Sequence, residues 1–440
     1  MSTRGHALAE LELRSFDRSV VARCRVQRPD RYRLIESVPA DAERITRGAG
    51  VSYVAASFGA DSVVQDMRAF DRILGFDGEL GLITVEAGAS IGSVVRFALS
   101  RGWLVGAVPG HPRATIGGCI AADVHGKNPA REGTFRDQVE ALELFDPELG
   151  WLAASREQNA ERFEACFAGF GIPGLIGNAT LRLVPAPAAS AIRRIPVANL
   201  VEAGEVLVTH AGAPLLYGWH DGRAGEFGCG VIRFGLEAQT SVRAMSHDDL
   251  SASITPSPMP LWNRAGIAAM NSWIRQRWCT PGHSVVDVGS ALFPLNLARR
   301  YFSGFGEAGF VEAQWLVPHA RYVAFAGALG ELVNRMRPRI SLIASKLFDG
   351  DAHGLSFNGR GIALAIQCPQ PQERSQRAFL EALAELALAH AARPNVIKDS
   401  TLDASTLRRA MPSCDGARAA LRAFDPLSRQ QSELTRRLEL

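Results

Sequence analysis

Two glycine-rich turns constrain this chain more than any other feature. Arg47-Gly48-Ala49-Gly50-Val51-Ser52-Tyr53 forms the first, and Pro109-Gly110 running to Thr115-Ile116-Gly117-Gly118 forms the second, about 60 residues later. Glycine lets backbone amides approach a pyrophosphate closely, because no Cβ intervenes and positive φ carries no steric cost. Either turn alone also serves simply to reverse a chain. The second, however, runs into Cys119-Ile120-Ala121-Ala122-Asp123-Val124-His125-Gly126-Lys127-Asn128. That stretch of small residues ends in a polar cluster and leaves room for a flat, buried ligand. On residue type alone, His125 reads equally as a buried histidine bonded to a carbonyl, and Lys127 as a solvated surface lysine.

The pattern around the turns predicts a sheet with helices packed on it. Short β-rich runs punctuated by glycine occur at 44–50, 82–88, 139–145 and 175–184. Ser90 is placed to cap a helix in which Ile91, Val94, Val95, Ala98 and Leu99 recur at helical spacing, with Gly102 beyond its end. A Pro/Ala connector at 185–190 marks a boundary. Beyond it come apolar strands at 215–219 and 362–368, helical patterns at 319–336 and 374–392, and a polar, proline-bearing stretch at 246–260 that reads as a mobile loop. The tail from 395 starts with a short strand at 396–397, followed by Lys398-Asp399-Ser400, and ends in charged helices. With 440 residues, 47% of them hydrophobic, two globular units are expected. They span 1–187 and 188–392, with 393–440 returning to the first. The expected class is α+β.

Charge and cysteine usage exclude several functions. The net charge of +3 is spread along the chain without a basic block, so no nucleic-acid footprint is expected. Seven widely spaced cysteines, none in a C-x-x-C pair, suggest neither a disulfide framework nor a metal site. No apolar run is long enough to read as a membrane span. A cytoplasmic protein with at most peripheral membrane contact is expected.

From Thr115 to Asn128 the sequence resembles, almost position for position, the FAD segment of the decaprenylphosphoryl-ribose oxidases, flavoenzymes of the vanillyl-alcohol-oxidase and p-cresol methylhydroxylase superfamily. The likeness continues through Gly169-Phe170-Gly171 to Ile176, Gly309-Phe310 and Gln314, Lys346-Leu347-Phe348, Lys398-Asp399-Ser400, Asp425-Pro426 and Arg436-Arg437-Leu438-Glu439-Leu440. It implies a p-cresol methylhydroxylase-type FAD-binding domain joined to an α+β substrate (cap) domain with an antiparallel sheet. It also implies that Arg47, Gly48, Ala49, Gly50, Val51, Ser52, Tyr53, Gly110, Thr115, Ile116, Gly117, Gly118, Ala122, Asp123, Val124, His125, Ile176 and Asn395 line FAD. The flavin is expected to be non-covalent, because Val51 stands where covalently flavinylated relatives often carry histidine.

The resemblance further implies oxidation of a secondary hydroxyl on a sugar or glycosyl conjugate, in envelope or secondary-metabolite carbohydrate biosynthesis. This is the first half of an epimerisation that a separate NAD(P)-dependent short-chain reductase completes. Lys398 matches the lysine at the family's active centre, suited to stabilise negative charge on reduced flavin. Lys127, Lys346, Tyr217, Trp219, Glu312 and Gln314 fall on substrate-facing positions. There are departures: Ala363-Leu364-Ala365 replaces an Asn-x-Cys pair, Leu292 a tyrosine, Glu312 a glutamine and Tyr217 a smaller hydroxyl residue. They leave open a free polyol, aldonolactone or sugar-nucleoside substrate, and a flavin-binding protein without turnover.

Overall fold

The computed structural model describes residues 8–238, 254–293, 295–371 and 373–440, with side chains throughout except at 295–298. Among the described residues the strands form three sheets. The first joins β1 (Ala9–Arg14), β2 (Val21–Gln27), β3 (Arg44–Arg47) and β4 (Val63–Asp66) in the order β1-β2-β4-β3. The second is built from β5 (Ile73–Asp77), β6 (Leu82–Glu86), β7 (Trp103–Val105), β8 (Val139–Asp146), β9 (Gly150–Ser155) and β10 (Leu175–Pro185). Its order is β5-β6-β10-β8-β9, with β7 against β10. The predicted helix covers Ile91–Leu99, its Ser90 side chain accepts from Ser93 N–H, and its Ile91, Val94, Val95 and Ala98 face is buried. Gly102 ends it at φ +78°.

The third sheet has eight strands: β11 (Ala189–Val197), β12 (Leu215–His220), β13 (Gly230–Ala238), β14 (Gly282–Val286), β15 (Phe310–Pro318), β16 (Leu342–Asp349), β17 (Arg360–Pro369) and β18 (Arg393–Pro394). All its pairings are antiparallel, in the order β14-β11-β13-β12-β16-β17-β15-β18. Side chains alternate across a strand. Thus Val311, Ala313 and Trp315 of β15, Ile343 and Leu347 of β16, and Leu364 and Ile366 of β17 join one core with the helices His319–Met336 and Arg374–Ala389. Glu312 and Gln314 are left on the other face.

Three expectations shift. The Pro/Ala connector shrinks to residues 186–188, because β10 runs through Pro185 and β11 starts at Ala189. The short strand before Lys398 is Arg393–Pro394, paired with Leu316 and Trp315, whereas 396–397 lie in the turn that follows. The second long helix ends at Ala389. Of the stretch at 246–260, residues 246–253 lie outside the described residues. Residues 254–260 have no helix or strand and are tied by Ser257 N–H to the Ser303 carbonyl at 2.9 Å.

The tail packs on the first sheet. Arg44 N–H donates to Arg429 O at 2.8 Å, Gln431 N–H to Arg44 O at 2.9 Å, and Leu434 N–H to Ala55 O at 3.1 Å. Leu434, Leu438 and Leu440 share a core with Val54, Phe170 and Val396.

Candidate active site

A cavity of about 460 Å³ lies between the glycine turns and the face of the third sheet that carries Glu312 and Gln314. Its first wall is Gly48 to Tyr53, Gly110, Thr115, Gly118 and Ala122 to His125. Glu312, Gln314, Leu342, Ala344, Lys346, Ala365 and Gln367 form the opposite wall, every second residue of β15, β16 and β17. The register sets Glu312 against Gln367 and both Gln314 and Ala344 against Ala365. Trp219, opposite Ala344 on β12, joins them, and the turn Asn395 to Lys398 closes one end.

The first wall is built as an anion cradle. The amides of Ala49, Gly50, Val51, Ser52 and Tyr53 donate to no acceptor among the described residues. Such a run of free N–H groups is what a pyrophosphate takes up. Gly48 is required by close approach, since a Cβ there would collide with the Thr115 hydroxyl, and Gly50 sits at φ +65°. The turn is braced from behind: Phe16 stacks on Tyr53 at 5.4 Å between ring centroids, and Phe16 and Asp17 N–H groups donate to the Ser52 and Tyr53 carbonyls, both at 3.2 Å. Ser52 Oγ and Trp219 Nε1 are buried without a protein partner among the described residues. Polar atoms left unpaired in a cavity wall fit a polar ligand. Cradle, unpaired atoms and cavity together suit FAD.

Some expected residues do not reach the cavity. The Ile116 and Gly117 amides are spent on the Ala89 and Ala87 carbonyls, at 2.9 and 2.8 Å, and Gly118 N–H on the Thr115 cap. The second turn therefore contributes its shape rather than a row of free amides. Ile176 is buried in the core behind that wall. Arg47 turns away, its Nη1 donating to Ser57 Oγ at 2.9 Å and its guanidinium lying over Phe58. Tyr217 stands outside the wall with its ring beneath Lys127 and Arg233, their cations at 5.1 and 5.5 Å from the centroid. Leu292 and Ala363 are core residues, so of the departures only Glu312 and Ala365 touch the cavity. Asn395 holds a turn: its Nδ2 donates to Gln314 Oε1 at 2.9 Å, its amide to the Gln314 carbonyl at 2.9 Å, and its carbonyl accepts from Lys398 N–H at 3.1 Å.

Lys398 Nζ stands 3.5 Å from the Tyr53 ring centroid and 3.7 Å from Glu312 Oε1, while Gln367 Nε2 donates to the other Glu312 oxygen. Its neighbour Asp399 is buried and turned to Thr401 instead, accepting from the amide and hydroxyl at 2.8 and 2.6 Å. Lys346 Nζ donates to the Gly126 carbonyl at 2.8 Å and lies 3.2 Å from His125 Nδ1. Burial, with Lys346 beside it, pushes His125 well below the usual imidazole range. The same burial, with Lys127 and Lys398 near, pushes Lys346 well below the usual lysine range. Lys127 falls to about 8, through burial and then Arg233. Lys127 and Lys398 thus crowd Lys346, and a bound anion would relieve it.

One signal was present in the composition and is decisive only with coordinates. Of 48 basic residues, three are lysines, Lys127, Lys346 and Lys398, and the rest are arginines. All three line this cavity. An ammonium is compact and changes its pKa readily when buried, which a guanidinium does not. Phe16, His111, Tyr301, Phe302 and Gln367 also line the cavity and carry no motif that would have singled them out.

Residues 39–150 match the FAD binding domain family. The chain is an FAD-dependent oxidoreductase whose FAD binding domain covers these residues. Over 415 residues it is 26% identical to the decaprenylphosphoryl-beta-D-ribose oxidase of Mycolicibacterium smegmatis, covering 90% of this chain and 89% of that one. Shorter likenesses reach a D-lactate dehydrogenase of Anaerostipes hadrus, 27% identical over 31% of this chain and 30% of that one, and an L-galactono-1,4-lactone dehydrogenase of Oryza sativa, 27% identical over 27% and 20%. No helix among the described residues is long and apolar enough to cross a membrane.

Proposed function

We propose that the protein oxidises a secondary hydroxyl of a sugar or glycosyl conjugate carrying an anionic group, giving the ketone. The observation that carries this reading is the convergence of all three lysines of the chain on one cavity whose other wall is the glycine cradle. The cradle would hold the FAD diphosphate on the amides of Ala49 to Tyr53, with no covalent bond, and FAD supplies the two-electron acceptor. Lys127 and Lys346 bind the anionic group of the substrate, and Trp219 offers an aromatic plane to the sugar. Lys398, fixed by the Asn395 turn and by Glu312, stabilises charge that develops as the alcohol is oxidised. Glu312 takes the hydroxyl proton. Residues 188–392 form the substrate domain in this reading.

The ketone is the substrate a nicotinamide-dependent short-chain reductase would need to return the hydroxyl with inverted configuration. A second reading takes a free polyol, aldonolactone or sugar-nucleoside as substrate. Glu312 favours it, since its carboxylate opposes a phosphate bound close by, and so does the likeness to a galactonolactone dehydrogenase. Anaerobic mixing of the yellow holoprotein with polyprenyl-phosphoryl sugars, nucleosides, lactones and polyols tests both readings. Bleaching near 450 nm by a phosphoryl sugar alone supports the first, bleaching by an uncharged polyol or lactone supports the second, and no bleaching by any of them overturns both. Product reduction in a coupled assay with a short-chain reductase tests the partner.

A further inference from the structure

A second concavity, of about 200 Å³, lies away from the FAD cavity and is lined by Arg223, Ala224, Arg264, Ile267, Arg337, Pro338, Arg339 and Ile340. Four of these eight residues are arginines, a local excess of positive charge that carboxylates, water or a bound anion must offset. Carboxylates meet only two of them. Asp221, fully buried, takes Arg223 through both oxygens, and Glu373 stands 3.3 Å from Arg339 Nη2. Arg264 and Arg337 have no acidic partner among the described residues. Arg264 Nη2 donates instead to the Arg337 carbonyl at 3.0 Å, and Arg339 Nε is buried without a partner among the described residues.

The backbone presents these arginines at some cost. Arg337 follows the helix His319–Met336 in the left-handed conformation, at φ +48°, where glycine or asparagine is usual, and it precedes Pro338. Arg264 opens the helix Arg264–Trp278, and Asn271 of that helix donates to Asp221 Oδ1 at 2.9 Å, tying Arg223 to the same frame. Guanidiniums recognise tetrahedral oxyanions by paired N–H donors, and the exposed side chains of Arg264 and Arg337 carry such donors.

We infer that this concavity is a binding site for a phosphate group, separate from the FAD cavity and independent of the proposed reaction. A soluble phosphate ester and an anionic lipid headgroup share that chemistry. Met259 and Leu261, both exposed, lie just before Arg264 and place apolar surface in the neighbouring chain.

The test uses the FAD-loaded protein and the double variant Arg264→Gln/Arg337→Gln, whose changes lie on exposed side chains and outside the flavin cavity. Pyrophosphate and glycerol 3-phosphate binding is measured by calorimetry, and sedimentation is measured with phosphatidylglycerol vesicles and with phosphatidylcholine vesicles. At least tenfold weaker binding of the soluble esters by the double variant, with the flavin spectrum unchanged, assigns the site to a free phosphorylated ligand. Cosedimentation with phosphatidylglycerol only, lost in the double variant, assigns it to a headgroup. If the wild type binds neither, or the double variant binds as the wild type does, the inference is overturned, and the proposed oxidation is untouched.

Discussion

At the scale of single residues the site is an arrangement of amines held away from water. Because Lys127 lies near 8, its charge is present below that pH and is lost above it. Binding of an anionic substrate in the cavity is therefore expected to weaken as pH rises through 8. Flavin difference spectra recorded on either side of that pH would show it, and an affinity independent of pH would remove Lys127 from the binding set. Lys398→Met removes the ammonium beside Tyr53 and Glu312. Stopped-flow flavin reduction by substrate is expected to slow about 100-fold, the scale seen when one charge-stabilising donor is lost, with FAD content unchanged. Gly48→Ala forces a methyl onto the Thr115 hydroxyl. It is expected to give a folded but colourless protein, which absorbance and circular dichroism together would establish. Residue identity made the first turn legible, since Gly48 and Gly50 stand where a Cβ or a negative φ is excluded. Tyr217 and Ile176 were not legible in the same way: one strand position or one packing layer decides whether such a side chain faces a cavity or lies behind it.

At the scale of elements, local signals held where the chain satisfies its own hydrogen bonds. The helix Ile91–Leu99 has its cap in Ser90, and Ser90→Ala is expected to cost about 1 kcal/mol in urea unfolding while leaving flavin binding intact. The turn carrying Lys398 is different, because its anchor lies on another strand: Asn395 reaches Gln314 through side chain and backbone. Asn395→Ala is expected to keep the fold and the flavin but to slow flavin reduction, a loss of kcat rather than of FAD content. Unchanged single-turnover rates would show the turn holds without it. The strand preceding this turn lies three residues earlier than expected from the side-chain pattern. Val396 and Ile397 have strand-like side chains, yet the open edge of β15 pairs at Leu316 and Trp315, which fixes Arg393 and Pro394 as the strand.

At the scale of the molecule, the cavity belongs to neither wall alone. Residues 48–53, Gly110, Thr115, Gly118 and 122–125 form one side, β15 to β17 the other, and the tail that supplies Lys398 is locked onto the first sheet through Arg44 and Ala55. If FAD binds across this junction as proposed, it would stabilise the folded state by mass action, about 4 kcal/mol at a thousandfold excess over Kd. The apoprotein is therefore expected to melt well below the holoprotein, and a Tm unmoved by added FAD would count against binding between the walls. The amino-acid sequence by itself determined the α+β class, the long helices and the glycine turn of residues 47–53, because periodicity, caps and glycine act over a few residues. Tertiary structure alone decided which amides stay free, that β15 to β17 share a face, and that the chain's three lysines meet. Those facts depend on strand register and on contacts between residues hundreds of positions apart, which no local pattern encodes.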